Sequence, residues 1–195
     1  MTLAPDRIIL GIDPGTQVFG WGVISVIRGK VSYIAMGISS LKGEPDHFIR
    51  LGTIFKEVDI LIKTYKPTEL AVEAPFYGKN IQSMLKLGRA QGAAIAAALN
   101  SGMPVHEYAP RKIKQSITGN GAASKEQVAL ILSKILSINE LPKSYDATDG
   151  LAAALCHYLT SSLPSSLKGA KKTSGTGGSK GKWDSFVKNN PGRVK

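Results

Sequence analysis

An uncharged apolar run, Ile8-Ile9-Leu10-Gly11-Ile12, stops on Asp13 and is followed by Pro14-Gly15-Thr16 and then Gly20-Trp21-Gly22-Val23-Ile24. A short apolar run bounded by turn formers reads as a buried strand. Pro14 and Gly15 predict that the chain reverses just after Asp13. A carboxylate at the end of a buried strand is costly unless it is solvated, paired or bound to a cation. Asp13 is therefore expected to anchor a metal site on which other acidic residues converge.

The rest of the chain alternates short runs with longer periodic segments. Ile8–Ile12, Trp21–Ile27 and Val31–Ser39 read as strands joined by short Gly-containing turns, which makes them antiparallel neighbours. From about Pro45 the period changes: Phe48, Leu51, Phe55, Val58, Ile62 and Tyr65 recur at steps of three and four, an amphipathic helix ended by Pro67. Glu69–Glu73 is a fourth short strand closed by Pro75. Asn80 to Asn100 predicts a second long helix whose Ala/Gly-rich half, Gly92 to Ala98, packs on the sheet or on a second subunit. Pro104–Tyr108 is a fifth strand, and Pro110 opens a short helix to about Ile117. Ser124 with Gln127 is a capping-box signature for the next helix. A last helix runs from about Tyr145 to Leu159.

This order predicts an α/β fold with a five-stranded mixed sheet flanked by helices. Strands separated by helices run parallel, so 8–12, 69–73 and 104–108 form a parallel set with the hairpins on one flank. The ends of the first and fourth strands then lie side by side, which brings Asp13 next to Glu73.

Asp146 and Asp149 lie three apart at the start of the last helix and project from one face. Negative charge is favoured in the first turn of a helix, so capping alone explains them. The apolar segment Gly150-Leu151-Ala152-Ala153-Ala154-Leu155 behind them must pack on the core, however, and sets their face at its edge. That arrangement lets Asp13, Glu73, Asp146 and Asp149 share one pocket. Four carboxylates without His or Cys suit a hard cation, Mg²⁺ or Mn²⁺, rather than zinc. Two such ions about 4 Å apart are a known solution for phosphodiester cleavage. His47 and His157 sit among helical residues with no ligand spacing, His106 lies in a strand, Glu69 and Glu107 read as structural or solvated, and Cys156 reads as a small buried hydrophobe.

The chain has 195 residues and a formal net charge of +11, which points to an anionic partner, nucleic acid first. Residues 165–195 hold eight Lys/Arg and one acidic residue, so much of that charge lies in the tail. We expect one domain over 1–163 and a basic, disordered tail over 164–195, where Ser, Gly, Lys and Thr dominate and Trp183 and Phe186 stand near the end. A single cysteine allows no intrachain disulfide and fits a reducing compartment. With no apolar stretch near 20 residues and no signal-peptide pattern, the expectation is a cytoplasmic protein without a membrane.

Five motifs together resemble the RuvC family of crossover-junction endodeoxyribonucleases. They are Gly11–Thr16 with Gly20–Val23, Ala71–Phe76, Leu85–Gly92, Tyr108–Gln115 and Asp146–Ala152, in order and at appropriate spacing. The resemblance implies a ribonuclease H-like fold and a homodimer that nicks opposing strands of a four-way (Holliday) junction during recombination and repair. It implies that Asp13, Glu73, Asp146 and Asp149 are catalytic and bind Mg²⁺, with Mn²⁺ as substitute and two ions per site. It also assigns cleavage roles to Lys114 and Lys125, which either hold the scissile phosphate or stabilise developing charge. Phe76 matches an aromatic that meets bases near the cut, a stack worth roughly 1–3 kcal/mol. Lys79, Lys86, Arg89, Arg111 and Lys112 are candidate DNA-backbone contacts. RuvA and RuvB branch-migration proteins are implied partners. Two other readings compete: a non-catalytic junction-binding protein, which loss of a carboxylate would have favoured, and an actin-like or sugar-kinase-like phosphotransferase. The latter needs a second domain of the same kind and further glycine-rich nucleotide motifs.

Overall fold

The computed structural model describes residues 4–75, 80–140, 142 and 144–162. In chain order the elements are β1 (Arg7–Pro14), β2 (Val18–Ile27), β3 (Lys30–Ser40), α1 (His47–Tyr65) and β4 (Glu69–Glu73). They continue with α2 (Ile81–Asn100), β5 (Val105–Tyr108), α3 (Pro110–Thr118), α4 (Lys125–Leu136) and α5 (Asp146–Ser161). The sheet order is β3-β2-β1-β4-β5, antiparallel across the first three strands and parallel from β1 through β4 to β5. The expected element order and sheet are both present. One detail differs: the chain does not turn directly after Asp13, because Asp13 still pairs with Gly20 and Pro14 with Phe19. Proline is tolerated at this strand end, where a ladder N–H is no longer needed.

The two-residue period of each strand sorts its side chains between two cores. Leu10, Ile12, Leu70 and Val72 face α1 and α2, packing with Ile54, Val58, Ala90 and Ala94. Ile9 and Ala71 face the other way, into a core with α3, α4 and α5. The same alternation sends Gly11 and Asp13 of β1, and Glu69 and Glu73 of β4, to the α5 face. Of the residues that the helical period assigns to the α1 stripe, Phe48 and Phe55 point outward, Phe48 at 73% exposure. Apolar residues occupy more than one side of α1, and the sheet takes the side carrying Ile54, Val58 and Leu61.

Helix α5 is buried almost all round from Ala147 to His157. It reaches the sheet so closely because glycines line the contact. A methyl group on Gly11 would overlap the Gly150 carbonyl and Ala154, and one on Gly22 would overlap the Leu151 backbone. Gly11 and Gly22 are cross-strand partners, so the gap they leave is continuous.

At the opposite end of this face from Asp13, polar side chains form a closed network. Arg7 donates from Nε and Nη2 to the two Glu69 carboxylate oxygens at 2.6 and 2.9 Å, and from Nη2 to Ser161 Oγ at 2.9 Å. His157 Nε2 lies 2.5 Å from Glu69 Oε2, and its Nδ1 lies 2.6 Å from the Tyr108 hydroxyl. A neutral imidazole that donates at Nε2 and accepts at Nδ1 satisfies every member. The Arg7 bond holds the Glu69 carboxyl down at about 2, whereas burial pushes the His157 imidazole below its ordinary value.

Both shifts act in the same direction on acidification. A depressed carboxyl stabilises the fold above its unfolded value and loses that contribution as pH falls through its folded value; a histidine held neutral opposes folding once the unfolded chain gains its proton. Stability is therefore expected to fall in two stages, below about pH 6.5 for His157 and between about 4.5 and 2 for Glu69. In urea titrations from pH 7 to pH 3, Glu69→Gln should lose roughly 1–3 kcal/mol at pH 7 and show a flatter acid limb than wild type. Parallel acid limbs for the two proteins would refute this assignment.

Candidate metal centre

Asp13 ends the α5-facing series of β1, and Glu73 ends that of the parallel neighbour β4. The first turn of α5 supplies Asp146 and Asp149. Asp13, Glu73 and Asp149 line one cavity of about 80 Å³ with Lys114 of α3 and Lys125 of α4, over an apolar wall that includes Ile113, Val128 and Ala152. That volume holds about two or three water-sized species. Asp146, expected in the same pocket, does not line it: it is more open, with 39% of its side chain exposed, and accepts from Ser144 Oγ at 2.9 Å.

Both aspartates do sit in the first turn of α5, where the helix dipole favours them, but neither is its N-cap, a position held by Tyr145. Asp149 instead pairs with the Lys125 ammonium, which also lies 3.7 Å from Asp146 Oδ1. Lys125 is the first residue of α4, where the reciprocal Ser124–Gln127 capping box is formed. A lysine at a helix N-terminus is disfavoured by the helix dipole. Its placement is explained by the carboxylates it faces. Burial pulls the Lys125 ammonium down, but the Asp149 bond and the nearby acids outweigh it and raise its pKa.

The carboxylates remain under-compensated. Burial, reinforced by Asp149, pushes Asp13 up to about 6. Burial together with Asp13 and Asp149 pushes Glu73 up to about 8. Burial also raises Asp149, against the pull of Lys125. An all-oxygen donor set with unrelieved negative charge fits a hard divalent cation.

The other predicted residues divide by location. Arg111 and Lys114 line an adjoining cavity of about 460 Å³ with Pro75, Ala109 and Gly121. Lys112 is exposed on α3, and Lys86 and Arg89 are exposed on α2. Phe76 and Lys79 lie outside the described residues, as does the 164–195 segment. Two of the three histidines and Glu69, none of them expected to form a site, prove to be organised: ligand atoms of Glu69, His106 and His157 lie within 4.8 Å of one another. The Glu69 carboxylate is already held by the Arg7 guanidinium, a fixed cation that opposes a second one, and the network serves packing.

The family model described as crossover junction endodeoxyribonuclease RuvC matches residues 9–157. The chain belongs to the RuvC family. It is 53% identical to the crossover junction endodeoxyribonuclease RuvC of Cytophaga hutchinsonii over 97% of this chain and 89% of the relative. Identity to the Bacteroides fragilis RuvC is 52%, over 97% of each chain. Among solved structures, T. thermophilus RuvC in complex with a Holliday junction substrate superposes with a TM-score of 0.73 at 33% identity, covering 80% of this chain and 94% of that one. The fold is that of the ribonuclease H-like resolvases. Among the described residues, no helix is long and apolar enough to cross a membrane.

A carboxyl whose folded pKa lies above its unfolded value opposes folding increasingly as pH rises between the two. For Glu73 that window runs from about 4.5 to about 8. Metal-free Glu73→Gln should therefore be more stable than wild type at pH 8, by on the order of 1–3 kcal/mol in urea unfolding, with the gain vanishing toward pH 4.5. A gain of equal size at both pH values would contradict the charge-crowding account.

Proposed function

We propose that the chain is a metal-dependent, structure-selective DNA endonuclease that resolves Holliday junctions through paired symmetric nicks in opposing strands, in recombination and repair in the cytoplasm. One observation carries this reading: in a RuvC-family chain, Asp13, Glu73 and Asp149 meet at one small cavity with two lysines on its wall, and Asp146 lies 3.7 Å from one of them, Lys125. The four carboxylates would hold Mg²⁺, or Mn²⁺ in its place, two ions per site. The chemistry such ions supply when bound is activation of the attacking water and stabilisation of the leaving oxygen.

The chain's own groups do the rest. Asp13 and Glu73 supply oxygen ligands from rigid strand ends, and Asp146 and Asp149 supply them from one turn of α5. Lys125 and Lys114 present cations to the same cavity, where the scissile phosphate and the charge developing on it would sit. The apolar wall limits how much water enters. Phe76 follows the Pro75 that lines the adjoining cavity, and we assign it to stacking on a base near the cut. Lys79, Lys86, Arg89, Arg111 and Lys112 are assigned to the DNA backbone.

Symmetric nicking needs two active sites, and we assign a homodimer. Exposed apolar side chains on the packed pair α1 and α2, including Phe48 (73% exposed), Ile81 (70%) and Leu99 (60%), support an association surface there. RuvA and RuvB remain the partners implied by the family. The full acidic set disfavours a non-catalytic junction binder.

Asp13→Asn is expected to bind a synthetic four-way junction but not nick it, and wild type should bind without cutting in excess EDTA. Cleavage under either condition would end the metal-catalysis reading; equal cutting of linear duplex would end the junction assignment and spare the nuclease. For the tail, truncation after Leu163 should make the salt dependence of junction binding shallower, by roughly 0.9 in log–log slope per phosphate contact removed. An unchanged slope would exclude the tail from DNA binding.

A further inference from the structure

Asp146 is the one member of the acidic set that does not line the small cavity, and it is more open than Asp149, at 39% against 15% side-chain exposure. Its main chain is fixed all the same, because Gly20 lies so close to the Asp146 carbonyl that a Cβ there would overlap it. What remains free is the carboxyl group, since the terminal torsion of an aspartate is broad and has no sharp rotamer well. Ser144, two residues earlier, supplies the missing constraint. We propose that Ser144 is a positioning residue for metal binding, which holds the Asp146 carboxylate in the orientation an ion requires. The inference rests on the metal-dependent reading above.

The Ser144 hydroxyl both gives and receives. It donates to Asp146 Oδ2 at 2.9 Å and accepts from the Asp146 backbone N–H in a longer bond of 3.4 Å. The amide at the start of α5 therefore helps to keep the hydroxyl oxygen in place, while its hydrogen is turned toward the carboxylate. The other carboxylate oxygen, Oδ1, lies 3.7 Å from the Lys125 ammonium, which also pairs with Asp149 and lines the cavity. One oxygen is thus held by the chain just before the helix, and the other faces a cation shared with the cavity.

A serine suits this task better than a charged partner. An ionised carboxylate has about four lone-pair sites on its two oxygens, so one hydroxyl leaves the rest for an ion. The hydroxyl carries no charge, and it orients the ligand without opposing a cation as a lysine does. A ligand held in place beforehand also loses less freedom when the ion binds. Groups that support a metal ligand in this way are typically worth about 10–100-fold in affinity or activity.

The test is a calorimetric titration of Mn²⁺ into the full-length protein, without DNA and at one fixed pH. Ser144→Ala should bind Mn²⁺ about tenfold more weakly than wild type, whereas Ser144→Thr, which keeps the hydroxyl, should stay within about twofold of it. Ser144→Val has the shape of the threonine without its hydroxyl and should lose as much as the alanine variant, which covers the case of a Ser144→Ala protein that does not fold. A second pair separates positioning from folding: in an Asp146→Ala background, Ser144→Ala should change Mn²⁺ affinity by less than about twofold, because the carboxylate it acts through is gone. Mn²⁺ binding that is unchanged or tighter in Ser144→Ala overturns the assignment. So does an equal loss with and without the Asp146 carboxylate, which would make the role of Ser144 purely structural; in either case the metal centre stands. If Asp13→Asn binds Mn²⁺ as tightly as wild type, the metal centre itself falls and takes this inference with it.

Discussion

The site depends on how closely one helix backbone can approach two strands. Asp146 and Asp149 reach the strand ends only because α5 lies directly on β1 and β2, in a gap where Gly11, Gly20, Gly22 and Gly150 present no side chains. A Cβ on Gly20 would overlap the Asp146 carbonyl itself. Overpacking of this kind forces backbone shifts, and a shift of α5 carries two of the four carboxylates away from the other two. The small residues after Gly150 serve the same end: Ala152, Ala153 and Ala154 are fully or almost fully buried. Packing and chemistry are thus set by the same contact.

The α5 face carries acidic residues at both of its ends, in opposite electrostatic states. Glu69 is matched by Arg7 and His157, and its carboxyl is held near 2. Glu73, four residues along the same strand, has no such partner, and its carboxyl is driven to about 8. The difference lies in the neighbours, since both face the same way from β4. A satisfied polar network fixes one unique packing of the helix on the sheet. The unsatisfied end keeps the Asp13 and Glu73 carboxyls away from solvent and resistant to ionisation. Perturbed carboxyls of this kind cluster at functional sites because the arrangement that makes them useful also makes them costly.

Much of this was legible in sequence, because it depends on local period and punctuation. The two-residue alternation of Ile8–Ile12 and Leu70–Val72, the three-and-four spacing of the helices, and the Ser124–Gln127 box each identify an element from its own residues. Asp13 and Glu73 stand out in the sequence because turn formers follow them at strand ends. What escaped was set by tertiary contact. The Arg7–Glu69–His157 network joins residues 62 and 88 positions apart, with no spacing to betray it. The glycines of Gly20-Trp21-Gly22 mark a helix-packing surface, which a turn-based reading does not reveal. The outward turn of Phe48 and Phe55 was hidden because α1 is apolar on more than one side, so period alone could not say which side the sheet would take.

Lys125 explains how the acidic cluster tolerates itself before a metal arrives. Four carboxylates gathered at one edge of a core repel one another and lose solvation together. The ammonium at the start of α4 relieves the two on α5 by pairing with Asp149 and lying near Asp146. It acts on Asp13 and Glu73 only through space, and theirs are the pKa values driven to about 6 and about 8. The relief is therefore uneven, and the two strand residues at the buried end of the site are the ones pushed furthest toward their neutral, protonated form. A carboxyl held in its protonated form must give up that proton to take an ion, so metal binding at this end of the site would release protons and strengthen as pH rises.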